Sequence, residues 1–263
     1  MEEPATVYVT GTAGAGKTSF VRAFRTWMQS AGYDCLVVNL DPGTESDDLE
    51  PDVDVREWVR LGDVMDEYGL GPNGAQVAAA DLVALKIFEI RTAIQESKVD
   101  YTLIDTPGQV ELFAFRESSR SIVEALSGDR SLLAFLFDPA LARTAAGFVS
   151  LLMLSSTVEF RFRLPTLNVL SKADLLTPEQ LEEVAGWGED PDRLYEAVTR
   201  ETSTPDVQLS TELFRALQTM GPLASVIPVS SQGGTGLEAF YRSCQQVFGA
   251  GEDLEASQGP TDS

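Results

Sequence analysis

The sequence predicts an α/β sandwich, a mostly parallel sheet covered by helices on both faces, with helical insertions. Three observations predict it. Short β-rich runs alternate with amphipathic segments. The runs are apolar almost throughout rather than at every second residue, as strands buried on both faces are. A chain of 263 residues that is 43% hydrophobic is long enough for one large domain with a sizeable core, or for two small ones.

TVYVTG is the first strand, and it meets a glycine-rich turn and then the amphipathic segment KTSFVRAFRTWMQSAG, closed by glycine in the manner of a helix C-cap. DCLVVNLDPG, DYTLIDTPG, SLLAFLFDP, TLNVLSKADLL and SVIPVSS follow as strands two to six. Helical material at about 54–98 and 178–219 reads as insertions within one domain spanning 1–249, and the composition of 250–263 is that of a disordered acidic tail. Within the first insertion, GLGPNGAQ at 69–76 sets glycines and a proline between two helical stretches, so the chain must turn there with Asn73 at the tip. LLMLSSTVEFRFRLP has the spacing of a core helix rather than a membrane element. Trp58 fits either the core of the insertion or an interface between subunits.

Composition excludes several chemistries. Without a single histidine, His-based acid/base catalysis and His metal ligation are impossible. Cys35, in a strand, and Cys244, in a helix, form no CxxC pair and read as buried thiols. Forty-one acidic against nineteen basic residues give a net charge of −22, which repels nucleic acid and anionic membrane alike. That acidity fits a salt-rich cytoplasm, where screening weakens self-repulsion, or an ordinary acidic surface. With no signal-type leader and no apolar run of ~20 residues, the expectation is a cytoplasmic protein.

The strongest motif is GTAGAGKT at 11–18, which matches GxxxxGK[ST] at a strand-to-helix turn. Backbone amides from Gly11, Ala13, Gly14, Ala15 and Gly16, with Ser19 at the helix start, would converge on phosphate oxygens at the positive end of that helix. Lys17 would reach the β and γ phosphates and Thr18 would hold Mg²⁺; the competing reading is a glycine-rich connector. Further stations fall at strand C-termini, where ligands of open α/β sheets collect. Asp105 of DTPG can join the Mg²⁺ shell and the Gly108 amide can sense the γ phosphate, although Asp-Thr-Pro-Gly is also good turn chemistry. SKAD at 171–174 resembles the NKxD guanine-reading motif, which implies that the carboxylate of Asp174 accepts from guanine N1 and N2 and that the Lys172 stem covers the base. Ser171 stands where an asparagine would brace this loop, so guanine preference rests on Asp174, unless that residue only caps a turn. Ser230 and Ser231 lie where a backbone amide meets guanine O6.

Together GTAGAGKT, NLDPG (39–43), GPN (71–73), DTPGQVELF (105–113) and SKAD resemble the GPN-loop GTPases, a family of dimeric P-loop NTPases, over about residues 6–248. The resemblance implies the three-layer P-loop NTPase sandwich, slow hydrolysis of GTP to GDP, and a homodimer in which each GPN loop crosses towards the other subunit's nucleotide. In that setting the Asn73 amide donates to phosphate oxygens and accepts from water. The aspartate station after the second strand, here Asp41, is implied to position the attacking water and to join Thr18 and Asp105 in the metal shell; an Asx turn is the bland alternative. Gln109 invites comparison with a water-orienting glutamine and ranks below Asp41, and Glu111 is a further switch-segment candidate. Eukaryotic relatives are associated with RNA polymerase II assembly and nuclear import, which extends the expectation to a protein client such as polymerase subunits. Two other readings remain open: a nucleotide-controlled assembly chaperone with incidental turnover, and a P-loop small-molecule kinase, which would have no reason to pair SKAD with GPN.

Overall fold

The computed structural model describes residues 4–43, 50–201, 212, 214 and 225–256. Seven strands make one sheet in the order β3-β2-β4-β1-β5-β6-β7: β1 (Ala5–Gly11), β2 (Cys35–Asn39), β3 (Val53–Asp54), β4 (Tyr101–Asp105), β5 (Ser131–Phe137), β6 (Thr166–Leu170) and β7 (Val226–Pro228). Each pairing is parallel. Parallel strands need crossovers, and the helices that supply them bury both faces of the sheet. β1, β4 and β5 are accordingly buried end to end.

One face carries α1 (Lys17–Ser30) and the C-terminal helix α11 (Leu237–Ala256), pinned by Phe20 and Phe24 stacking edge-on against Phe240 at 5.1 and 5.0 Å.

 The Phe24 ring also lies parallel to that of Trp27. The other face carries α2 (Leu61–Tyr68), α3 (Pro72–Leu85), α4 (Ile87–Glu96), α5 (Val110–Ala114), α6 (Glu117–Leu126), α7 (Pro139–Ala142) and α8 (Ala145–Phe162), with α9 (Pro178–Glu189) and α10 (Pro191–Glu201) beside them. The result is the three-layer sandwich that the sequence predicts.

Among the described helices, α8 alone is long and apolar enough to cross a membrane by length and composition. Its Phe148, Leu151, Leu152, Ser155, Val158 and Phe162 recur at helical spacing on one buried face, and the Ser155 hydroxyl donates to Asn168 Oδ1 of β6 at 2.6 Å. It is a core helix, as its spacing predicts.

Several boundaries differ from the sequence expectation. β3 is a seventh strand of only two residues, too short for any periodicity to mark. The helical stretch after GPN divides at Lys86 into α3 and α4. The turn within GLGPNGAQ is confined to Gly69–Gly71: Gly69 ends α2 in the left-handed region at φ 62°, and Pro72 already occupies the first position of α3. Proline is pre-set for that position because its missing N–H would have no acceptor there. Asn73 therefore stands in the first turn of a helix rather than at a loop tip. α11 continues to Ala256, past residue 249 where the composition predicts a tail, and 257–263 lie outside the described residues, as does most of the second insertion after Glu201. Trp58 packs, partly buried, on the core, and Cys35 and Cys244 are free and buried.

Candidate nucleotide site

The candidate residues gather at the carboxyl ends of the strands. Gly11 closes β1 against β5 with φ 147°, and a Cβ there would stand 2.7 Å from the Leu136 carbonyl, so no other residue fits. Gly16 takes φ 90° as the N-cap of α1. Between them Ala13 and Gly14 are exposed and Ala15 is buried, while Ser19 is exposed on the first turn of the helix.

Lys17 is buried, and its ammonium donates to the carbonyls of Gly11 (3.1 Å), Thr12 (3.0 Å) and Gly108 (2.7 Å). Burial pushes its pKa below the usual lysine value, against the pull of Asp105, Asp41 and Glu111. The third contact clasps the P-loop to the DTPG turn. That turn is tied back to β1 by Thr106, whose hydroxyl donates to Val9 O at 2.8 Å, and to the segment after β2 by the Gly108 amide, which donates to Asp41 Oδ2 at 3.0 Å. The Gly108 amide, expected to face the γ phosphate, thus meets Asp41. Asp41 Oδ1 accepts from the Gly43 amide at 2.8 Å, the Asx turn weighed above, so one carboxylate joins two loops.

Thr18 donates to Asp105 Oδ2 at 2.7 Å. The other oxygen of Asp105 is buried without a hydrogen-bond partner among the described residues, and burial, opposed by Thr18 and Lys17 and reinforced by Asp41, raises the carboxyl to about 6. A hydroxyl and a half-satisfied buried carboxylate fit a hard divalent cation, which takes oxygen ligands. Thr18 and Asp105 would hold it, with Asp41 nearby.

On the far side, the Ser171 hydroxyl donates to Phe137 O at 3.0 Å, fixing the SKAD loop to the end of β5 in place of an asparagine amide. Lys172, in the left-handed region at φ 49°, donates to Gly14 O at 2.5 Å and pairs with Asp138 at 2.8 Å, so the loop is strapped across the P-loop. Asp174 lies exposed in the short 3-10 turn Ala173–Leu175. Ser230 is buried and accepts from the Gly233 amide at 3.1 Å, while Ser231 is half-buried beside it. Gln109 precedes α5 with an exposed side chain, and Glu111 follows within the electrostatic reach of Lys17.

A family model described as a conserved hypothetical ATP binding protein matches residues 9–250. PAB0955, a GPN-loop GTPase of Pyrococcus abyssi, is 35% identical over 190 residues, covering 72% of this chain and 75% of the relative. The chain belongs to the GPN-loop GTPase family. The crystal structure of apo PAB0955 superposes with a TM-score of 0.82 at 29% identity over 93% of this chain and 97% of that one. GPN-loop GTPase 1 of Schizosaccharomyces pombe is 29% identical over 97% of this chain and 68% of its own length, and that of Dictyostelium discoideum is covered over 60% of its length.

In this GPN-loop GTPase, residues outside the recognisable motif roles also shape the site. Asn39 is buried at the end of β2, its Oδ1 accepting from the Asp41 amide at 2.9 Å while its Nδ2 donates to Asp41 O at 3.2 Å and Asp54 Oδ1 at 3.1 Å. β3 exists where Asp54 pairs in register with Asn39. Burial would raise Asp54, but hydrogen bonds from Arg56 and Asn39 outweigh it and hold the carboxyl below the usual range. Asp138 is another such residue, and FDP at a strand end, echoing NLDP, is the signal that would have found it. On the GPN helix itself, Asp81 receives Arg116 through two guanidinium nitrogens, which links α3 to the entry of α6.

Asp105 gives a pH prediction for the cation-free protein. Its folded pKa of about 6 exceeds the ordinary 3.8, so the protonated form favours the fold, and its contribution, present in full below about pH 4, is lost as pH rises through 6. On the order of 2–3 kcal/mol is at stake. Melting curves in EDTA at pH 4.5 and 7.5 should therefore show a larger loss across that interval for wild type than for Asp105→Asn; identical profiles would remove Asp105 as the cause.

Proposed function

We propose that this GPN-loop GTPase is a Mg²⁺-dependent homodimeric switch in which Asn73 of each protomer completes the nucleotide site of the other. The observation that carries the reading is the Lys17–Gly108–Asp41 clasp, which makes the P-loop, the DTPG turn and the NLDPG segment one unit at the mouth of the phosphate site. On entry of GTP, Lys17 exchanges carbonyl acceptors for phosphate oxygens, and the loops on either side of the clasp respond. Thr18 and Asp105 would hold Mg²⁺, which would supply neutralising charge to the phosphoryl oxygens. Asp41, freed from Gly108, accepts a hydrogen bond from water and orients it for in-line attack. Asp174 reads the guanine edge.

Two features support a second copy at this site. The first intrahelical bond of α3 runs from the Ala75 amide to Gly71 O at 2.9 Å, so the amides of Asn73 and Gly74 open the helix with the positive end of its dipole, and both residues are exposed. Leu85, Phe88 and Phe160 are 76%, 77% and 81% exposed, an apolar display suited to burial between protomers.

Mixing chains tests the proposal. Asn73→Ala and Lys17→Ala homodimers should each be inactive, and a mixed dimer should regain partial GTPase activity, because one of its two sites then has both groups. No recovery in heterodimers shown to have formed would defeat the shared site.

A further inference from the structure

At the amino ends of the strands, away from the nucleotide site, lies a cavity of about 850 Å³. Its walls come from the starts of β1 and β4, the ends of α4 and α6, and α11. In parallel α/β sheets the carboxyl ends collect the known ligands, so an opening of this size at the other end requires its own explanation.

Charge supplies the first part. The chain carries 41 acidic and 19 basic residues, yet the cavity wall reverses that balance, with Arg91, Lys98 and Arg130 against one carboxylate, Asp100. The Asp100 carboxylate already accepts from the Asp34 amide at 2.9 Å, and among the described residues no carboxylate pairs with Arg91 or Lys98. A local positive basin on a strongly negative surface focuses small anions.

Aromatic surface supplies the second part. Tyr33 meets Tyr101 and Tyr241 with ring centroids 5.7 and 5.4 Å apart, the Tyr241 hydroxyl donates to that of Tyr33 at 2.6 Å, and Gln245 donates to the Tyr101 hydroxyl. These contacts hold the rings in place as a wall, so a ligand meeting them orders few side chains on binding. Thr102, on the same lining, has a buried hydroxyl with no hydrogen-bond partner among the described residues.

We infer that this cavity is a second ligand site, taking a small phosphate monoester with a flat apolar portion. The phosphate matches the basic residues, for which a dianion is the better counterpart, and the flat portion matches the tyrosines. The net charge of −22 argues for a small molecule over a nucleic-acid strand, which would meet the acidic surface around the basin.

Phenyl phosphate is the probe, titrated by calorimetry into the full chain saturated with GDP and Mg²⁺ so that the P-loop is filled. One saturable equivalent is expected, weakened about tenfold or more by Arg91→Glu with Lys98→Glu, two exposed positions whose change leaves GDP affinity as it was. Phenol, which has the ring without the charge, should bind at least tenfold more weakly. The site is refuted by no saturable binding at millimolar probe, by equal binding to the double variant with its GDP affinity intact, by equal binding of phenol, or by loss of the event on GDP saturation.

Discussion

Lys17→Ala is expected to lower GTP turnover about a thousandfold or more while shifting the melting temperature of the nucleotide-free protein by only a few degrees. The asymmetry follows from what surrounds the ammonium. It is 6% exposed, and its hydrogen bonds go to three carbonyls and to no carboxylate among the described residues. Burial disfavours its charge, and the more distant Asp105, Asp41 and Glu111 return only part of that cost. A cation kept in such a place contributes little to the fold, because removing it also relieves the desolvation. The phosphates, in contrast, lose the group that reaches the β and γ positions. Phosphate release under saturating GTP and a melting curve make the comparison. Turnover within tenfold of wild type, or a collapse in melting temperature well beyond 5 °C, would show Lys17 to be a structural residue.

What the sequence made legible was local. GTAGAGKT declares its loop in eight consecutive residues, because the backbone geometry of phosphate binding demands glycine at fixed offsets and the lysine and threonine must follow them directly. The six longer strands were equally plain, since burial on both faces writes an uninterrupted apolar run. Contacts between distant segments were not legible. Lys172 and Gly14 are 158 residues apart, and only the closing of β1, β5 and β6 side by side brings them together. Asp54 meets Asn39 through a strand too short to leave a period. Asn73 was legible as a residue type in an unusual setting and misread in conformation, because proline ends a helix interior and begins a helix equally well, and Gly69 rather than Pro72 is the residue that stops α2. The strap from Lys172 and the clasp at Gly108 are therefore products of topology, and it is they that turn separate motifs into one site.

Asn39→Ala should strike both stability and turnover. Three hydrogen bonds end on this side chain in a place that is 1% exposed, and alanine leaves the Asp41 amide unsatisfied and Asp54 with Arg56 as its remaining side-chain donor. A loss of about 2–4 kcal/mol is the expected size for a buried group of this kind. The functional consequence is separable from it. Asn39 grips Asp41 on both sides of its backbone, and Asp41 in turn holds Gly108, so without Asn39 the carboxylate that orients water is set loosely while Lys17 and the P-loop amides keep their geometry. Assayed well below its melting temperature, the variant should show kcat reduced about ten- to a hundredfold with KM for GTP changed by no more than a few fold. Asn39→Asp separates shape from polarity: it keeps the volume, but it replaces a donor to Asp54 with a third carboxylate beside Asp41 and Asp54. Its kcat should be at least as low at pH 7 and recover in part towards pH 5, where protonation restores a donor and removes the repulsion. If kcat and KM in both variants only track the fraction of folded protein, Asn39 holds the sheet edge together and does nothing for the water.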